Sequence, residues 1–333
     1  MFTLAASCTV SRRCLWIIGL LAAGCGGSSW RSLESGSGSL QLPDGPQLFW
    51  RALGTGADTV LVVPGGVGFH HGYLPEALAP LVPGRTLIFY DMRGRGRSSL
   101  VTDSTELTFD KDIEDLDALR RYFKLERTTL LGHHWGAAVA ALYAARHPDR
   151  VERLLLVSPF PPHHSLMLEI TFILGDSVHY ARSLQLAGGR SSPDTIAARC
   201  RETWSLYFAP WRADTTTPYD RLAPAMCDAP REALARADWI RTQEQRSLGS
   251  WVWRPELNRL TVPTLVIEGS GTPAVTESST RWAQHVPGAR VLLLAPPYLF
   301  PWTGSPSQFR AAADAFLSGA YPTGAIEPPD WHP

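Results

Sequence analysis

Five consecutive residues, Gly132-His133-His134-Trp135-Gly136, hold the side chains best placed to do chemistry. The flanking glycines permit the close backbone approach that a sharp turn from strand to helix needs. Thr128-Thr129-Leu130-Leu131 before them has the composition of a buried strand. Ala137 to Ala145 after them is a small-residue helix, stopped before Pro148. A turn of this kind, a nucleophile elbow, ordinarily presents a serine at the top of a sheet, whereas here the central residue is His134. An imidazole can form covalent intermediates, but it too needs a base and an acid in reach.

Three other segments supply the elements around this turn. Thr59-Val60-Leu61-Val62-Val63-Pro64-Gly65-Gly66-Val67-Gly68 reads as a strand running into a glycine-rich loop. Leu87-Ile88-Phe89-Tyr90-Asp91-Met92-Arg93-Gly94-Arg95-Gly96-Arg97-Ser98 is a strand followed by Asp-x-Arg-Gly-x-Gly-x-Ser. Pro263-Thr264-Leu265-Val266-Ile267-Glu268-Gly269 is a further strand. Together with the elbow, these segments resemble the α/β-hydrolase superfamily over about residues 40 to 320, and within it the branch containing proline iminopeptidases. In that branch the elbow reads Gly-x-Ser-Trp-Gly and the first loop His-Gly-Gly-Pro-Gly.

The resemblance implies acyl transfer, in which a serine attacks, a histidine moves the proton and an acid orients the histidine. All three positions differ here. The nucleophile position is His134. The acid position falls on Thr272, within Gly269-Ser270-Gly271-Thr272-Pro273, and the base position on Leu299, within Tyr298-Leu299-Phe300-Pro301-Trp302. Threonine carries no negative charge and leucine accepts no proton. A triad works as a unit, so hydrolysis is expected to be badly impaired, leaving at most about 10³ to 10⁴ over water from an oxyanion hole and binding. The resemblance places the donors of that hole at the backbone amides of Gly66 and Trp135.

Replacement groups are few. Beyond the acid position only His285 and His332 remain, one in a helix-like stretch and the other in a Pro-rich tail. Glu268 reads as an ordinary strand-end carboxylate, with a displaced acid as its competing role. The histidines also suggest a different chemistry, because six of the ten lie in pairs: His70-His71, His133-His134 and His163-His164. Each pair follows a predicted parallel strand, and the carboxyl ends of such strands form the ligand crevice of an open α/β sheet. One residue from each, His70, His134 and His163, could then hold zinc and activate water without a serine. Against this, adjacent residues of an extended chain point in opposite directions, and His71 and His133 match histidines of serine-bearing relatives. The expectation is therefore no metal and no cofactor.

At the amino terminus, Ser11-Arg12-Arg13 precedes an apolar run, Cys14 to Ala23, too short to span a bilayer as a helix. It reads as a signal peptide, residues 1–24. Leu21-Ala22-Ala23-Gly24-Cys25 resembles a bacterial lipobox, and Ser11 to Trp16 resembles a twin-arginine export signal. These resemblances imply export, lipidation at Cys25, and anchoring at the periplasmic face or surface of an outer membrane. Residues 25–39, rich in Gly and Ser, are expected to form a flexible tether. In an oxidising compartment Cys200 and Cys227 could pair.

Composition agrees with one globular unit of the α/β class, with 44% hydrophobic residues and a formal net charge of zero. That balance gives no reason to expect a nucleic-acid partner. The order of elements predicts an α/β-hydrolase fold: a mostly parallel, doubly wound sheet made by residues 40–159 and 256–320, interrupted by a helical cap at 160–255. Residues 321–333 form a Pro-rich tail. The cap holds Trp204, Trp211, Trp239, Trp251 and Trp253, which either line a pocket or pack cap to core. Two functions remain open. One is a non-hydrolytic protein binding a small apolar ligand, a peptide or a protein under the cap. The other is a peptidase- or esterase-like hydrolase working through His134 or a histidine-bound metal.

Overall fold

The computed structural model describes residues 30–328 except 67, 176–194, 209–218, 272 and 297–298. The expected signal segment, Cys25, Trp211 and Thr272 lie outside the described residues. Eight strands among those described make one sheet: β1 (Glu34–Gln41), β2 (Gln47–Leu53), β3 (Asp58–Val63), β4 (Arg85–Tyr90), β5 (Thr128–His133), β6 (Val151–Val157), β7 (Thr264–Gly269) and β8 (Arg290–Leu294). Their spatial order is β1-β2-β4-β3-β5-β6-β7-β8. The pairings of β1 with β2 and of β2 with β4 are antiparallel, and the rest are parallel.

Strands β5 and β7 are buried along their whole length and β3 nearly so, as the near-continuous Val, Leu and Ile runs dictate for a sheet covered on both faces. One face packs against the helices Phe109–Tyr122, Trp135–Arg146 and Pro273–His285, and the other against Leu74–Leu78 and Pro306–Leu317. In Trp135–Arg146 every residue from Trp135 to Ala144 is buried, which its alanines make sterically feasible. The helix Phe109–Tyr122 starts at Thr108, whose hydroxyl accepts from the Lys111 amide at 3.2 Å.

The expected tether is corrected from residue 34 onward: Glu34 to Gln41 form β1, and a short 3-10 turn, Trp30–Leu33, precedes them. The Pro43-Asp44-Gly45-Pro46 turn folds β1 back on β2, and the glycines make room for a cross-strand ring. A Cβ built at Gly38 would lie 3.0 Å from the Trp50 indole, and one at Gly36 3.7 Å from it. The tail is likewise not free through Ile326, which bridges Val291, while the Tyr321 hydroxyl accepts from the Thr264 amide at 3.3 Å.

Between β6 and β7 lie the cap helices His164–Gly175, Ile196–Phe208, Tyr219–Met226 and Arg231–Leu248. A disulfide joins Cys200 to Cys227, with Cα atoms 5.9 Å apart, and so ties the second of these helices to the end of the third. Trp251 and Trp253 pack into the core with Phe160, whereas Trp204 and Trp239 face a cavity. No helix among the described residues is long and apolar enough to cross a membrane.

Candidate functional site

Strand β5 ends at His133 and the following helix begins at Trp135, so His134 alone makes the turn. Its φ of 47° and ψ of −111° place a non-glycine residue in a region that must be held by its surroundings. The His134 amide donates to Val157 O at 2.9 Å, and its carbonyl accepts from Ala137 and Phe160, both at 3.0 Å. Both flanking glycines are required by contact. A Cβ at Gly132 would sit 2.5 Å from Ala137 Cα, and one at Gly136 would sit 2.3 Å from the carbonyl oxygens of Val63 and Pro64.

The His134 ring meets Phe160 edge-on, with centroids 5.2 Å apart. Its Nδ1 is buried and makes no hydrogen bond among the described residues. Burial pushes its pKa down to about 4, so the ring is neutral at pH 7. A neutral imidazole with no hydrogen-bond partner for Nδ1 among the described residues is a poor general base and an unassisted nucleophile.

Leu299, expected at the base position, also has a left-handed backbone, φ 69°, and a buried side chain within the apolar cluster around Phe300 and Trp302. Only its main chain is polar. The His133 Nε2–H donates to Leu299 O at 2.5 Å, which leaves Nδ1 to accept from the Tyr73 hydroxyl at 2.6 Å. The Tyr73 oxygen accepts in turn from the Gly65 amide at 2.8 Å. Burial, reinforced by the neighbouring His134 ring, pushes the His133 pKa down to about 3. The spine from Gly65 to Leu299 is therefore electrically neutral.

It continues into Glu268. One carboxylate oxygen accepts from Ser158 Oγ at 2.6 Å, Gly269 N at 3.0 Å and Leu299 N at 3.3 Å, and the other from Ser279 Oγ at 2.7 Å. Burial raises its pKa to about 7 despite these four donors. Ser158 has a φ of 45°, so a second strained residue stands at the end of β6 beside the elbow. Glu268 meets the main chain of the base loop rather than an imidazole, so it holds that loop in place and orients no base.

The Asp-x-Arg-Gly-x-Gly-x-Ser segment braces the same region. Asp91 accepts from the His71 amide at 2.8 Å and ring Nδ1 at 2.7 Å. Burial alone would raise the Asp91 carboxyl, but His71 and the Arg97 amide hold it well below the usual carboxylate range. Arg93 makes a two-pronged pair with Asp115 at 2.8 and 2.5 Å. Arg95 bonds Asp112 at 3.1 Å and also reaches Glu244 of the cap, while Asp112 accepts from the Trp135 indole at 2.8 Å. A continuous polar chain thus ties the cap to the first residue of the elbow helix.

Gly66 keeps a left-handed φ of 70°, and a Cβ there would lie 1.9 Å from the Phe69 ring. Phe69 packs edge-on against Trp204 at 4.9 Å, and both line a cavity of about 780 Å³ beneath the cap. On their other side, Trp204 meets Phe300 at 6.4 Å and Phe300 meets His133 at 5.5 Å. Phe69 and Trp204 thus form a wall shared by the cavity and the elbow region.

The family profile of the alpha/beta hydrolase fold matches residues 58–298. The chain belongs to the alpha/beta-hydrolase family. Among similar curated proteins, the proline iminopeptidase of Lactobacillus helveticus is 25% identical to this α/β-hydrolase over 270 residues, 72% of this chain and 86% of that one. The proline iminopeptidase of Heyndrickxia coagulans is 34% identical over 104 residues, 31% of this chain and 36% of that one. A solved hydrolase from Pseudomonas aeruginosa PA01 superposes with a TM-score of 0.64 at 22% identity, covering 86% of this chain and 99% of its own. A Mycobacterium smegmatis proline iminopeptidase gives 0.57 at 20% identity, covering 85% and 98%. The two structures share the fold.

For this α/β-hydrolase, the proposed metal triad of His70, His134 and His163 is not assembled. Among the described residues no three His, Cys, Asp or Glu side chains stand close enough to hold an ion. The reason is local: His70 accepts from the Gly72 amide at 3.0 Å and bonds Met226 O at 3.0 Å through its other nitrogen. His163 caps its own helix, accepting from Leu166 N at 3.2 Å. Tyr73, Ser158 and Ser279 were not singled out in the sequence, since nothing in their spacing links them to His133 or Glu268.

Proposed function

We propose that this α/β-hydrolase-family protein binds a small apolar ligand or peptide beneath its cap and does not carry out acyl transfer. One observation carries the reading. The residue at the turn, His134, has an Nδ1 with no hydrogen-bond partner among the described residues, and the side chain at the expected base position is the hydrocarbon of Leu299. The wall of Phe69 and Trp204 supports it, because a molecule in the cavity is held off from the turn. In the same reading the chain is exported and anchored through Cys25, on the strength of Leu21-Ala22-Ala23-Gly24-Cys25.

A second reading is favoured by the strained turn at His134 and the left-handed Gly66, which would suit a hydrolase of the proline iminopeptidase or esterase kind using His134 itself. Treating the protein with an aryl fluorophosphonate and measuring its intact mass separates the two. The binding reading expects no adduct, and a stoichiometric adduct lost in His134→Ala would overturn it.

A further inference from the structure

We infer that two copies of this chain pair along β1 into a weak dimer whose sheet runs on across the seam. Among the described residues β1 is an outer strand, hydrogen-bonded to β2 on one side only. The direction of its free groups can be read from β2. The Phe49 carbonyl accepts from Asp91 N and the Phe49 amide donates to Ser98 Oγ. The Gln47 carbonyl accepts from Ser99 N and the Gln47 amide donates to Ser99 Oγ. Both residues thus point their main-chain groups away from β1. Their antiparallel partners, Ser39 and Gln41, must point theirs away from β2, and alternation adds Ser37. These outward amides and carbonyls have no partner among the described residues.

Sheets normally blunt such an edge with charge, proline or a bulge. From Gly36 to Gln41 this strand carries no charge and no proline, and its register shift lies ahead of that run, between Glu34 and Gly36. The run is also its own complement. A two-fold axis through Gly38 sets Ser37 opposite Ser39, so that their free amides and carbonyls satisfy one another and their exposed hydroxyls meet on one face. On the other face the Trp50 ring lies over the glycines, 3.7 Å from a Cβ built at Gly36. The same register brings the partner's Leu40 opposite Gly36, against that ring. Leu40 is only partly buried within its own copy, and Tyr122, 6.2 Å from Trp50, is 45% exposed. Glu34, the one charge on β1, lies at its far end and is paired with Arg51 at 3.2 Å, so no like charges face each other across the seam. A second copy is the occupant that supplies the matching serines and the leucine in one register. A single strand with its aromatic flank gives less area than the about 1,200 to 2,000 Å² of a stable complex, so association is expected in the micromolar range.

Sedimentation velocity of the full chain, from about 1 to about 200 μM to bracket that range, tests this. The average mass is expected to rise with concentration towards that of two chains. Ser37→Pro deletes an outward amide and no bond to β2, at an edge position where a strand tolerates proline. Ser37→Lys with Ser39→Lys sets like charges opposite each other at exposed positions. Both variants should melt as the native chain does and stay at the mass of one chain. A single-chain mass for the native protein throughout, as when another segment covers β1, overturns the proposal. So does a dimer that persists in folded Ser37→Pro or in the lysine variant, which decides the matter if the proline variant does not fold.

Discussion

His133 donates from Nε2 to the carbonyl oxygen of Leu299 across 2.5 Å, so the residue before the turn is bonded to the main chain of the loop that would carry a catalytic base. The pairing places the loop correctly and gives it no proton chemistry, because the participating group of Leu299 is a carbonyl. From this arrangement several outcomes can be derived.

Restoring the nucleophile alone should not restore hydrolysis. His134→Ser would put a hydroxyl at the strained turn while Leu299 still supplies no imidazole to accept its proton. Turnover of aryl esters is expected to stay at background, and only a variant that also carries Leu299→His and Thr272→Asp should rise above it, by about tenfold or more.

The tight approach of the Gly65-Gly66 loop to the turn should be visible as stability. A Cβ at Gly65 would lie 2.2 Å from His133 Nδ1, which belongs to the hydrogen-bonded spine, and 2.5 Å from the His133 carbonyl oxygen. Gly65→Ala is expected to destabilise by more than about 2 kcal/mol. Thermal unfolding measures it, with Gly36→Ala as a control, where a Cβ would meet only the Trp50 ring at 3.7 Å, an ordinary contact.

Glu268 should make the fold less stable as pH rises. Its pKa is raised to about 7 in the folded state, so between about pH 4.5 and 7 the native protein binds more protons than the unfolded chain. Unfolding free energy then falls as pH rises through that window, by up to about 3 kcal/mol from this group alone. Glu268→Gln keeps an oxygen for three of the donors and is expected to flatten that slope. Denaturant melts at pH 5 and pH 8 check it.

His133 and His134 act in the opposite direction. Their pKa values are depressed to about 3 and about 4, so the unfolded chain binds more protons below about pH 6.5 and stability falls as pH drops. His134→Phe, which removes one of the two groups and cannot protonate, should make the protein less acid-sensitive between pH 4 and 6.5.

The Cys200–Cys227 bond closes a loop with a sequence separation of 27 residues across the cap. Replacing both cysteines by serine is expected to lower stability by about 3 kcal/mol, and a reducing agent should reproduce the loss in the native protein without further effect on the variant.

Much of the fold was legible because the β3, β5, β6 and β7 runs and the glycines around His134 obey short-range rules. Strand β1 was not: Ser-Gly alternation usually marks a linker, and here the glycines exist to seat the Trp50 ring, whose partner strand the local sequence does not announce. The turn was legible, since His134 stands between β5 and the following helix where the flanking glycines put it. Glu268 was not, because the Ser158 and Leu299 groups that bond it come from 110 and 31 residues away. The histidine pairs share no site for the same reason, the His70 and His163 rings being engaged by a cap and a local partner that spacing does not reveal.

The central claim is that His134 performs no acyl transfer. The most direct test is the hydrolysis of a panel of aryl esters and amino-acid arylamides by the purified protein beside its His134→Ala variant. The account expects both to match the buffer rate. Turnover in the native protein that His134→Ala abolishes would contradict it.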